Sequence, residues 1–229
     1  MADQVSATLT DLGWRHLTIV RGRQEPGQPE EERQVLRSTV LHLSPDALAW
    51  AQWTLADEPF HLGELPVAWQ ISGRPHPDST VAEWNAYFTA GVPHEALADF
   101  LLALDAREDP AVGFDGPGTV LAALTDRGWI RDIDHPNSGA ADPGSSSSFM
   151  LCLLPPLIQD ADPDPEPIGW QAWAEPTFGA PYLWCAAFSA SVPHDLVAVF
   201  ASSLASPSPV LRRVLPEAAE HRLTLIPAS

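Results

Sequence analysis

The sequence predicts an α+β protein made by tandem duplication, each copy a small, mostly antiparallel sheet covered by one or two helices. Three observations predict it. Matched segments recur: Leu9-Thr-Asp-Leu-Gly-Trp14 returns as Leu124-Thr-Asp-Arg-Gly-Trp129, Trp69-Gln70 returns as Trp170-Gln171, and Trp84, Phe88, Val92, Pro93, His94, Phe100 and Leu104 each return 100 residues later. Within each copy, short stretches alternate apolar and polar residues with the period of a half-buried strand. Each copy then closes on an apolar stripe with the spacing of a helix.

Taken in order, Val5–Leu12 reads as a short helix ended by Gly13, the residue best suited to a left-handed C-cap, and Thr119–Arg127 ended by Gly128 repeats it. Ser38–Pro45 aligns with Ser148–Pro155, which makes Val40–Leu43 and Phe149–Leu154 strands and leaves Trp50–Leu55 as a further strand of the first copy alone. Val67, Trp69 and Ile71 are expected on one face of a strand, as are Trp84, Ala86 and Phe88, with Ile168, Trp170 and Ala172 and then Trp184, Ala186 and Phe188 as their counterparts. The tryptophan-rich face needs a cover, and the stripe Leu97, Phe100, Leu101, Leu104 after Pro93 provides one. The stretches 21–33 and 131–148 lack apolar periodicity and read as loops, and 207–220 reads as a final helix. Residues 109–118, rich in Gly and Pro, divide a first repeat (1–108) from a second (119–229).

Thirty acidic residues against twelve Arg give a net charge of −18, and such a surface repels phosphate backbones and anionic membranes. Two cysteines, Cys152 and Cys185, make no disulfide framework, and the opening Met1-Ala-Asp-Gln-Val has no secretory character, so a cytoplasmic protein is expected. No apolar run approaches the roughly 20 residues of a membrane span.

Trp84-Asn-Ala-Tyr-Phe-Thr-Ala-Gly-Val-Pro93 and its twin from Trp184 resemble the closing signature of the SPDY domain of Streptomyces proteins, Trp-x-Ala-x-Phe-Ser/Thr-x-x-x-Pro leading into a helix with Phe. Ser44-Pro-Asp46 resembles the family's namesake motif, and the Gly-Trp pairs at 13–14 and 128–129 fit it as well. On the alignment above, Leu154-Pro-Pro156 stands in place of Ser-Pro-Asp in the second copy. The resemblance implies two tandem copies of a domain of unknown function and supplies no catalytic residues.

The residues themselves supply none either. Asp160-Ala-Asp-Pro-Asp164 starts like a calcium loop but has Pro165 where the turn needs Gly and Gln171 where a bidentate Glu belongs. The histidines and cysteines lack the spacing of metal ligands, so no metal and no cofactor is expected. His94 and His194 are binding candidates because both copies hold them in the first turn of a helix, where the positive helix end favours a neutral imidazole. Trp50, Trp53 and Trp173 are candidates because they lack repeat partners, and an unmatched aromatic that proves exposed marks a partner surface. The expected function is a non-enzymatic cytoplasmic adaptor holding an unknown protein partner. The alternatives are a small-ligand binder or enzyme using the groove between the repeats, and an acidic DNA mimic or immunity-type inhibitor. With so few cations to displace counterions, the protein is expected to show no binding to duplex DNA at physiological salt, and a salt-sensitive micromolar complex in an anisotropy titration would overturn this.

Overall fold

The computed structural model describes residues 2–23, 34–56, 59–113, 115–151, 158–159, 168–177 and 179–207. The first repeat contains α1 (Ala2–Asp11), β1 (Arg15–Arg23), β2 (Gln34–Leu43), β3 (Ala49–Ala56), β4 (His61–Leu62), β5 (Leu65–Gly73), β6 (Trp84–Thr89) and α2 (His94–Asp105). The second contains α3 (Pro117–Thr125), β7 (Ile130–Arg131), β8 (Gly139–Ala141), β9 (Ser147–Leu151), β10 (Ile158–Gln159), β11 (Ile168–Ala174), β12 (Trp184–Ser189) and α4 (His194–Leu204). Helices and an antiparallel sheet segregate in each repeat, the α+β arrangement. Cys152, the segment 160–164 and the predicted final helix beyond Pro207 lie outside the described residues.

Ten strands follow one another in the order β1-β2-β3-β5-β6-β12-β11-β9-β8-β7, and β4 joins β5 to β10 beside that path. Helices pack in the order α1, α2, α4, α3 over one face. Both orders are palindromic about the junction of the repeats, the arrangement a twofold axis produces. That axis passes through Tyr87 and Ala187: these matched residues pair with each other, and on either side Phe88 pairs with Ala186 and Ala86 with Phe188. Matched hydroxyls continue the pairing at both ends. The Cys185 N–H donates to Thr89 Oγ1 at 2.9 Å, and the Asn85 N–H donates to Ser189 Oγ at 3.0 Å. The Ser or Thr after Phe in the signature thus satisfies a backbone donor of the other repeat, a group that costs about 1–3 kcal/mol if buried without a partner.

Beneath the helices the junction is aromatic. Phe88, Phe100, Phe188 and Phe200, two from each repeat, are fully buried with ring centroids 5.3 to 5.9 Å apart. Edge and tilted contacts at these distances match the quadrupoles of the rings. Where the sequence predicts a core for each copy, one continuous core runs from Val5 and Leu9 of α1 to Val120, Leu121 and Leu124 of α3. The linker is fastened to it. Trp84 Nε1 donates to the Pro110 carbonyl at 2.8 Å, Arg107 pairs with Asp195 at the start of α4, and Gly113 lies so close to Pro193 that an added Cβ would come within 2.8 Å of it.

Gly13 and Gly128 end α1 and the turn after α3 at φ +79° and +89°, and the following Trp14 and Trp129 donate back to Leu9 and Leu124. That pattern closes the helix carbonyls and aims both indoles into the core. Val67 departs from expectation. The register slips by one residue between Val67 and Trp69, and again between Ile168 and Trp170. The repeated bulge turns Val67 to the other face while Trp69 and Ile71 stay beneath the helices.

The pairings also correct the internal alignment. Trp69 faces Trp53 on β3, and its counterpart Trp170 faces Leu151 on β9. Likewise Ala51 and Phe149 hold equivalent places, as do His42 and Ala140 one strand further out. So β9 is the twin of β3, not of β2, and Ser44 corresponds to Asp142. Both open a turn: Ser44 N–H bonds the Ala49 carbonyl, Asp142 N–H bonds the Ser147 carbonyl, and Ala47 and Ser145 both have positive φ, at 61° and 52°. Asp142-Pro-Gly144, rather than Leu154-Pro-Pro156, is the second copy's version of Ser-Pro-Asp. Strand β8 falls within the stretch 131–148 where a loop is expected, because paired neighbours hold Gly139-Ala-Ala141 in the sheet despite its poor intrinsic strand preference, while Phe149–Leu151 of β9 is in a strand as expected. Helices α2 and α4 begin at His94 and His194, one residue after the prolines, which stay extended as caps. Among the described residues no helix is long and apolar enough to cross a membrane.

Because the repeats share one core, Trp84→Ala in the first and Phe200→Ala in the second are each expected to cost about 3–5 kcal/mol and to lower one common melting transition. Calorimetry checks this, and two separately moving transitions would contradict the shared core.

Candidate functional site

The helix-covered face of the sheet is filled by core side chains, so accessible chemistry lies on the opposite face. There, side chains of adjacent strands form an amide relay. Gln52 Nε2 on β3 donates to Gln70 Oε1 on β5 at 2.5 Å, Gln70 Nε2 donates to Asn85 Oδ1 on β6 at 3.0 Å, and Ser72 Oγ donates to the same Asn85 oxygen at 2.7 Å. Trp50 stands on this face beside the relay. The Arg74 guanidinium lies over its ring at 5.6 Å and is fixed by the Ala47 and Ser79 carbonyls, so cation and aromatic are already oriented together.

Nearer the junction the same face carries a second, smaller apolar cluster. Leu62 of β4 covers Cys185 and Ala187 of β12, and Phe60, Val67, Tyr87, Trp173 and Tyr182 pack around them. Two titratable groups of the cluster are displaced from their ordinary values. Burial pushes the Cys185 thiol up to about 12, so it stays protonated and unreactive at neutral pH. Burial, then Cys185, Glu175 and Glu64, raise Tyr182 above its ordinary value.

Two concavities lie elsewhere. A groove of about 540 Å³ between α2, α3 and α4 is lined by Asp99, Thr119, Arg127, Asp195, Ser202 and Ser203 among others, with Arg127 Nε bonded to Ser202 Oγ at 2.8 Å. A cavity of about 210 Å³ lies beside the Ser44 turn. Its polar groups are engaged: Ser44 Oγ donates to Asp46 Oδ1 at 2.6 Å, Asp46 Oδ1 also accepts from the Leu48 N–H, Trp14 Nε1 donates to Asp105 Oδ1 at 2.6 Å, and Arg107 pairs with Asp195. The namesake motif therefore closes the β2–β3 hairpin, and Trp14 beside it is bonded to the end of α2. Among the described residues no three His, Cys, Asp or Glu side chains converge to hold a metal ion.

The five candidate residues fall in three places. Trp50 and Trp173 are half-buried on the open face, in the first and second repeats. Trp53 points the other way, packs against the main core, and has a repeat partner after all in Leu151. His94 and His194 open α2 and α4. The Trp170 and His194 rings meet edge to face at 6.5 Å, and His94 Nε2 is buried with no hydrogen-bond partner among the described residues, as are Nε1 of Trp69 and Trp170. Sequence reasoning passed over the relay, although the repeated Trp-Gln at 69–70 and 170–171 marks it: when Trp faces the core, the next residue faces away.

This architecture is a pseudo-twofold α+β sheet with one face sheathed and one face open. The chain belongs to the SPDY family, a domain of unknown function (DUF317), which matches residues 43–111 and 157–210. The first match begins at the Ser-Pro-Asp turn, and the second begins after β9, so the early strands of the second repeat lie outside it. No curated protein and no solved structure matches the chain.

Two outcomes are expected. Trp53→Leu, which installs the residue the second repeat carries in that register, should melt close to wild type, while Trp53→Ala melts distinctly lower. The second concerns His42, whose imidazole is held below its ordinary 6.5 by burial and then by neighbouring His16. The unfolded chain then binds more protons, so His42 contributes stability in full above pH 6.5 that is lost as the pH falls below it. Melting curves should drop over that range for wild type and less for His42→Leu, and equal slopes would remove His42 as the cause.

Proposed function

We propose that the chain is a non-enzymatic interaction protein of the cytoplasm that holds a protein partner on the open face of its sheet. The observation that carries the reading is the asymmetry of that sheet. One face is packed beneath four helices, and the other keeps Trp50 under Arg74, Trp173 and the Gln52–Gln70–Asn85 relay at its surface. Half-buried Trp beside oriented amides and a guanidinium is the composition of an interface hot spot. A chemically quiet Cys185 and the internally satisfied turn of the namesake motif support a binding rather than a catalytic role. The free Cys185 also suits a reducing compartment.

A second reading is favoured by the groove between α2, α3 and α4, whose hydroxyls, carboxylates and Arg127 suit a small polar ligand.

Full-length bait carrying Trp50→Ala or Trp173→Ala is expected to melt near wild type and to lose the partner that wild type recovers from its host. Arg127→Gln should keep it. Retention by both tryptophan variants and loss by Arg127→Gln would transfer the function to the groove.

A further inference from the structure

The inference rests on the partner-holding reading and names how and with what chemistry a partner engages. Strand β1 is one end of the ten-strand path and pairs only with β2, so the backbone groups along its other side have no partner strand among the described residues. It is nine residues long, whereas its counterpart β7, at the opposite end of the sheet, has two. A long free edge of this kind is a template for another strand. Its outward row is Arg15, Leu17, Ile19 and Arg21, with Leu17 and Ile19 57% and 42% exposed. Proteins commonly shield such an edge with short length or inward charge, and β1 instead presents two apolar residues between two cations.

Within the strands β1, β2 and β3 the charge runs in the opposite sense to the whole chain. Neither β1, β2 nor β3 contains a carboxylate, in a protein with thirty acidic residues and a net charge of −18. Arg21 stands directly across from Arg37, a like-charge cross-strand pair. Such a pair is unfavourable by itself and is relieved by an anion between or beside the guanidiniums. Arg74 is tied to a ring and to carbonyls, whereas Arg15 and Arg21 form no ion pair among the described residues.

We propose that β1 is a docking edge for an extended segment of a partner protein whose side chains run acidic, any, apolar, any, apolar, any, acidic. Such a segment adds an eleventh strand to the path. Its backbone pairs with the free side of β1, its carboxylates meet Arg15 and Arg21, and its apolar residues meet Leu17 and Ile19. The pattern reads the same in both directions, so the geometry serves a parallel or an antiparallel segment. The unpaired N–H and C=O groups along β1 favour an extended polypeptide, whose own backbone pairs with them, over a nucleic acid as the occupant.

The test uses the full-length protein and a fluorescein-labelled peptide, Ser-Glu-Thr-Leu-Thr-Val-Thr-Glu-Ser, read by anisotropy. Saturable binding is expected, weakened about tenfold when both Glu are replaced by Lys, the size of two cross-strand charge pairs. In the double variant Arg15→Glu/Arg21→Glu the preference should reverse towards the Lys peptide, a gain that a misfolded protein cannot show. N-methylation of alternate peptide amides on the edge-facing side should abolish binding. Equal binding of the Glu and Lys peptides, tolerance of N-methylation, or tighter binding of an oligo-dT strand would overturn the proposal. If the Glu peptide fails to bind while wild type still holds a partner that Trp50→Ala loses, the edge proposal falls and the open-face reading stands.

Discussion

The pairing of β6 with β12 is the constraint on which the rest of the structure depends. A strand that pairs antiparallel with its own repeat about a matched residue imposes a twofold axis, and here the axis runs through Tyr87 and Ala187. Everything beyond follows outward in matched order: β5 and β11 next, then β3 and β9, with α2 and α4 meeting over the junction. The same pairing removes one edge strand from each repeat, so that among the described residues the ten-strand path has two edges, β1 and β7, instead of four. It also brings Phe88, Phe100, Phe188 and Phe200 together, burying aromatic surface that neither repeat could cover alone. Insertion between β6 and α2 would break this register, and the spacing of 100 residues is kept through that whole segment.

Symmetry at the centre leaves the periphery free to differ. Facing the helices, the repeats keep Trp69 and Trp170, Trp84 and Trp184, and the residues of the four-ring cluster. On the open face they diverge: Trp50, Gln52 and Ser72 occupy the places of Ser148, Met150 and Trp173. The outer strands diverge further, with β1 and β2 long and arginine-bearing and β7 and β8 reduced to two and three residues. A duplicated scaffold thus presents unlike surfaces from its two repeats.

What the sequence disclosed was what periodicity and exact recurrence can carry. The duplication, the C-cap glycines, the Trp strands and the closing helices were legible because each involves large apolar residues or a backbone requirement held in both copies. The family was legible in the signature around Trp84. The equivalence of β3 with β9 was not, because it rests on Trp69 facing Trp53 and Trp170 facing Leu151, and cross-strand register leaves no local mark. The apparent match of Ser38–Pro45 with Ser148–Pro155 rested on apolar runs ending in Pro, which many buried strands share. The face of Val67 is not legible for a related reason: a bulge adds a residue without altering the alternation on either side. Trp50, Trp53 and Trp173 were grouped as unmatched aromatics, and only strand parity separated Trp53, on the core side, from the other two. The amide relay was hidden because Gln52, Gln70 and Asn85 are far apart in sequence, and single polar residues on strands are the common case.

The signature positions now have physical roles, and those roles bear on where function is to be sought. Trp84 carries the linker through its indole N–H, Phe88 and Phe100 form the junction cluster, Thr89 accepts a backbone donor from the other repeat, and Pro93 caps the helix that covers them. Ser44 and Asp46 shape a hairpin turn, a task Asp142 performs in the second copy by accepting from the Ser146 and Ser147 N–H groups. Each is accounted for by assembly of the twofold sheet. In this chain the signature residues are therefore explained by how the two repeats join. On the proposed reading, recognition falls to the positions the signature leaves open, which in this chain are the side chains of the uncovered face and the edge of β1 that has no partner strand among the described residues.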